Sequence, residues 1–258
     1  MLELSNGQIG GWISSFLLPL FRISSLLMVM PIFGTQLVPT RVRLYLALAI
    51  TVVIVPTLPP MPEVDALNLR SLLLIAQEVL IGAMFGFMLQ LFFHVYTVIG
   101  QILSIQMGIG FAAMVDPANG ISVPVLGQLL TMLTTLLFLA MNGHLVVFEV
   151  ITESFVTLPV GSGMLVGHYW ELVGKLSWVL GAGLLISLPV VTALLVVNLA
   201  FGVMTRAAPQ LNIFSVGFPL TLTFGLVVVW IGMADTLNQY QNLSSVALAM
   251  LRDLAQAR

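Results

Sequence analysis

Four stretches of the chain, residues 79–115, 117–148, 176–205 and 207–234, run without a single Asp, Glu, Lys or Arg. Each exceeds the roughly 20 apolar residues that a helix needs to cross a bilayer. Breaks in the pattern divide the chain into apolar segments at 9–33, 44–58, 71–93 with a continuation to 105, 123–151, 176–203 and 211–233. Between the fourth and fifth, residues 157–175 read as a connector, because glycines, a proline and the pair Glu171/Lys175 interrupt the apolar run. From 234 onward the pattern changes. Leu237, Tyr240, Leu243, Ala247, Leu251 and Leu254 recur at helical spacing among polar residues, which predicts an amphipathic helix on a membrane surface or a partner, or else a solvated end.

Composition raises this pattern to a class. With 59% hydrophobic and 7% charged residues, the chain cannot keep its apolar surface from water as a soluble fold. An all-α integral membrane protein with six or seven segments is expected. A net charge of −2 provides no basic patch for nucleic acid. The absence of cysteine excludes disulfides, thiolate metal sites and cysteine nucleophiles. No basic residue precedes Arg22, so the positive region of a cleavable signal peptide is missing and the first segment is expected to persist. Arg41 and Arg43, without acidic neighbours, hint at a cytoplasmic loop, but the other basic residues leave orientation open.

Pro19, Pro31, Pro56, Pro124, Pro189 and Pro219 lie within or at the ends of apolar runs. An interior proline frees a carbonyl that must find another partner in lipid. Bent, proline-broken helical hairpins packed within protein are therefore expected, with kinked conventional spans as the alternative. Gly82 and Gly86 form a GxxxG step that lets helix backbones approach closely, within the chain or between subunits.

Charges inside apolar segments are costly and usually serve a purpose. Arg22, Glu78 and Glu149 are the clear cases, and a buried pair or inter-subunit contact explains them better than a proton path. Asn142, His144, Arg206 and Gln210 are candidates for the same kind of contact. His94, His144 and His168 have no metal-ligand spacing, and neither a nucleophile with its base nor paired catalytic carboxylates can be found. No enzyme, metal or other cofactor is expected. The segment QMGIGFAAMVDPANGISVP at 106–124 is too apolar for a surface loop and too rich in Gly and Pro for a spanning helix. Irregular backbone at membrane depth persists only inside protein or along a cavity, which suits a plug-like element. Asp116, followed by Pro117 and then Asn-Gly, also carries an ordinary turn signal.

Several motifs in order resemble the FliR-type export-gate family of bacterial type III secretion. QMGIGFAAMVDP at 106–117, LLFLAMNGHL at 136–145, LPV at 158–160 and LPVVTALLVVNLAFGVMTRAAPQLNIFSVGFPLTL at 188–222 carry the resemblance, and FRISSLLMVMPIFG at 21–34 adds to it. It implies a subunit that assembles with FliP- and FliQ-type proteins of homologous fold into a helical export gate. FlhB- and FlhA-type proteins join them in the inner (cell) membrane, within the flagellar basal body. Residues 1–175 would form a FliP-like hairpin region including the 106–122 plug loop, and 176–258 a FliQ-like hairpin with its amphipathic tail. Met107, Ile109, Phe111 and Met114 would fill the channel, Gly108 and Gly110 would turn the backbone, and Asp116 and Pro117 would end the plug. Unfolded flagellar subunits would displace it in passing. An injectisome-type subunit is the near alternative. A secondary transporter is the distant one, and the internal repeat and clustered polar ligands it requires are not found.

Overall fold

The computed structural model describes residues 6–62, 68–109, 125–162, 166–207 and 217–256. Eight α-helices are described: α1 (Asn6–Val29), α2 (Thr40–Ile54), α3 (Leu69–Gln106), α4 (Val125–Ala140), α5 (Gly143–Thr157), α6 (Val166–Ala207), α7 (Phe218–Gly232) and α8 (Thr236–Gln256). No strand occurs among the described residues, and the all-α expectation holds. Four helical stretches, Thr40–Thr57, Leu69–Gln106, Tyr169–Ala207 and Phe218–Gln256, are long and apolar enough to cross a membrane, and the bent α4–α5 pair makes a fifth. Among the described residues, the Ser14–Val29 stretch of α1 adds a shorter apolar helix.

Two readings of the pattern change in the fold. The connector expected at 157–175 is helical from Val166, so α6 runs unbroken for 42 residues. Its charges support the helix: Lys175 and Glu171 pair at 3.2 Å across one turn. The segment expected at 123–151 is two helices, bent by 68° at the polar Asn-Gly-His triplet. Asn142 takes a left-handed conformation (φ 57°), which Asn tolerates better than most residues. Gly143 then lies against the Phe138 ring, where a Cβ would come within 2.6 Å.

The prolines mostly mark ends. Pro56 opens the 3-10 turn Val55–Thr57 and Pro219 lies in the first turn of α7, where a missing N–H leaves no carbonyl unpaired. Pro31 follows α1, while Pro19 and Pro189 sit inside α1 and α6. Pro124 lies outside the described residues.

The chain divides into two compact units. Unit 1 comprises residues 1–91, 138–175 and 245–258, and unit 2 comprises 92–137 and 176–244. In unit 1, Ile23, Leu27 and Ala47 are fully buried and join α1 to α2, with Phe33, Ile50 and Phe148 packed around them. The GxxxG step is spent within the chain. A Cβ on Gly82 would overlap the Arg22 carbonyl and the Ser25 hydroxyl, and one on Gly86 would come within 2.7 Å of Val29. At the far end of this crossing, Gln90 Nε2 donates to the Val29 carbonyl at 2.8 Å, satisfying an orphan acceptor at the end of α1.

In unit 2, α3 meets α4 where a Cβ on Gly100 would run into the backbone of Gly127. Phe92 packs edge-on against Phe93, Tyr96 and Tyr240, with ring centroids 5.4–5.8 Å apart. The tail is α8, and of its six predicted apolar positions all but Leu237 are buried. Its stripe is therefore used inside the fold.

Candidate functional site

Helices α1, α3 and α5 converge on one charge cluster. Arg22 and Glu78 are both 0% exposed. The guanidinium forks onto the carboxylate, Nε donating to Oε2 at 2.6 Å and Nη2 to Oε1 at 3.0 Å. Nη1 donates to the carbonyl and the hydroxyl of Ser154, and Nη2 also to the Leu158 carbonyl, each at 3.0 Å. An arginine has five N–H donors, and every one is used here. The Phe155 ring lies under the guanidinium, 4.1 Å from Cζ to the ring centroid.

Local structure explains why these groups meet. Gly82 lies one helical turn beyond Glu78, and its missing side chain lets α1 close on α3 at Arg22. Ser154 and Leu158 present carbonyls at the C-terminal end of α5, where the dipole favours a cation, and the Ser154 carbonyl also accepts the Leu158 N–H at 2.8 Å. Arg22 thus ties one helix to the carboxylate of a second and the end of a third.

A second arrangement stands where α3 runs into the glycine-rich loop. Met107 is fully buried just past the end of α3, its N–H bonded to the Leu103 carbonyl at 2.9 Å. Its side chain fills a notch in α7: a Cβ on Gly225 would lie 2.5 Å from Cγ, 2.8 Å from Cε and 2.9 Å from Sδ. Gly108 turns the backbone with φ 78°, a conformation glycine adopts freely, and packs against the Phe218 ring. Ile109 is half-buried.

Of the predicted site residues, Arg22 and Glu78 are brought together, and Met107 and Gly108 contact α7. Glu149 is exposed, as are Asn142 and Arg206. His144 is half-buried, and its Nδ1 is buried with no hydrogen-bond partner among the described residues. Gly110, Phe111, Met114, Asp116, Pro117 and Gln210 lie outside the described residues. Sequence reasoning missed Ser154, Phe155, the Leu158 carbonyl and Gly225. Backbone carbonyls carry no residue signature, and a lone glycine in an apolar run announces nothing. No group of three or more His, Asp or Glu able to hold a metal occurs among the described residues.

Long apolar helices, a bent helix pair and a fully satisfied internal ion pair define an all-helical integral membrane protein. Comparison with known proteins gives the family. Residues 13–246 match the model for bacterial export proteins, family 1. The chain is 40% identical over 227 residues to the flagellar biosynthetic protein FliR of Escherichia coli K12, covering 88% of this chain and 87% of that one. It is 34% identical to the FliR of Pectobacterium carotovorum over 89% and 88% of the two chains, and 28% identical to that of Bacillus subtilis over 93% and 94%. The chain belongs to bacterial export protein family 1, the FliR-type family its motifs resemble.

Proposed function

We propose that this chain is a core subunit of the flagellar type III export gate. It helps form, and plugs, the passage through which unfolded flagellar subunits leave the cell. Family membership across residues 13–246, with relatives named flagellar biosynthetic proteins, carries the reading. The partners are FliP- and FliQ-type subunits, with FlhA- and FlhB-type proteins alongside, in the inner membrane at the flagellar basal body. Residues 1–175 act as the FliP-like part and 176–258 as the FliQ-like part.

The geometry of α6 supports a need for protein partners. Large apolar side chains stand exposed along it from Trp170 through Leu185 and Val196 to Val203. At 1.5 Å per residue, the apolar stretch Tyr169–Ala207 is about 58 Å long. A helix tilted by about 40°, the top of the usual range, would still rise about 45 Å against about 30 Å of hydrocarbon. Lipid cannot cover that surplus, whereas neighbouring helices can. Exposed Glu149, Asn142 and Arg206, the Nδ1 of His144 (without a partner among the described residues), and Gln210 are assigned to contacts with such neighbours.

The 106–122 loop acts as the plug. Phe111 and Met114 deny ions a hydrated path, and Gly110 and Asp116 help shape the turn. Two experiments test this reading. Co-expression with the FliP- and FliQ-type proteins of the same genome, purification on this chain and native mass spectrometry should return one discrete complex of all three. Recovery of this chain alone, stable and monodisperse, removes the gate assignment. Deletion of residues 110–116 should make cells leaky to small ions, and unchanged conductance removes the plug.

A further inference from the structure

We propose that Met107 and Gly225 form a knob and socket that fixes the stem of the glycine-rich loop to α7, which makes Gly225 and Phe218 positioning residues for that loop. The functional consequence rests on the plug reading above, while the geometry rests on described residues alone.

A methionine next to an irregular loop is flexible and adapts to whatever surface it meets. Met107 is instead 0% exposed, with its Cγ, Sδ and Cε all seated in the space that a side chain at position 225 would occupy. The following residue, Gly108, turns with φ 78° directly over Phe218. Residues 107 and 108 therefore touch positions 225 and 218, which lie two turns apart on one face of α7. On that face Thr221 and Gly225 are buried, while Phe218 keeps 38% of its surface exposed. Elsewhere on the helix, Phe224, Leu226, Val227, Trp230 and Ile231 are exposed.

The backbone agrees with the side chains. Helical hydrogen bonding continues through the Met107 N–H to Leu103, and the Gly108 N–H closes on the Ile105 carbonyl at 3.1 Å. Met107 is thus an anchor at the stem of the loop. A methionine filling a passage would present its thioether at the surface of the subunit, and this one is enclosed by its own chain.

Gly225→Leu fills the socket and expels Met107. Its expected effect is a several-fold rise in resting ion conductance, approaching that of the 110–116 deletion, in a complex that still assembles. Adding Met107→Ala vacates the space and should bring conductance back toward the parental level, which a general defect in α7 would not do. The natural chain has no cysteine. A Met107→Cys/Gly225→Cys pair in the assembled complex should therefore form an intramolecular disulfide on mild oxidation, with or without a stalled substrate. Failure to cross-link, or cross-linking lost when substrate is stalled, overturns the fixed anchor. So does a silent Gly225→Leu beside a leaky deletion. If the deletion itself is silent the plug reading falls, and the cysteine pair still decides the anchor. If Gly225→Leu does not assemble, the cysteine pair decides alone.

Discussion

Two close crossings of helix α3, with α1 and with α4, are held by different chemistry. In unit 1, Gly82 and Gly86 admit the backbone of α1, and a five-donor arginine cluster seals the contact. In unit 2, Gly100 meets Gly127 of α4, and the cross-helix polar contact there is one hydroxyl pair, Thr97 and Thr131 at 3.3 Å. Glycine brings helices together in both places. What differs is the penalty for separating them. Pulling α1 from α3 would strand a buried carboxylate and a buried guanidinium, each costing several kcal/mol of desolvation. Pulling α3 from α4 would forfeit packing and at most one weak hydrogen bond. The first crossing suits a fixed frame, and the second borders the loop to which gating is assigned.

Removing one member of the ion pair should give the largest effect. Arg22→Ala leaves Glu78 uncompensated and should cost about 3–5 kcal/mol, seen as lost yield and a sharply lowered unfolding temperature in detergent. The double change Arg22→Met/Glu78→Leu removes both charges and should recover much of that loss. If the double variant is as unstable as the single, packing and not charge dominates the crossing.

Adding one methyl group at each crossing sharpens the contrast. Gly82→Ala and Gly100→Ala both press a Cβ into a facing backbone, and overpacking of this kind costs about 1–3 kcal/mol. Gly82→Ala should be the worse, because it also moves Arg22 away from Glu78. Equal losses in thermal unfolding would mean that the ion pair tolerates a wider helix spacing. The smallest effect is expected from Thr97→Val, about 0.5–1 kcal/mol for one partly buried hydrogen bond. A loss as large as that of Arg22→Ala would erase the distinction between the two crossings.

How far this could be read in advance differs residue by residue. Arg22 and Glu78 stand out because a charge within an apolar run demands a partner. Glu149 sends the same signal, yet α5 turns it outward while Val147, Val150, Ile151 and Ser154 face inward. Helix phase decides between the two acids, and phase depends on the neighbour each helix finds. The stripe on the tail was legible because its polar and apolar positions alternate at helical period. On α7, apolar residues lie on every side, so periodicity could not show that Gly225 faces Met107.

Residue chemistry therefore decided what was local or additive: membrane class from the scarcity of charge, helix from length and apolarity, family from motifs in order, and a close approach from Gly82 and Gly86. Tertiary structure decided which surfaces meet. It assigned the GxxxG step to a contact within the chain, completed the arginine with the carbonyls at the end of α5, and gave Met107 a seat in α7. The physical reason is that in a nearly uniform apolar sequence hydrophobicity cannot select partners. Shape complementarity and the need to satisfy the few polar groups select them, and both exist only once the helices are in place.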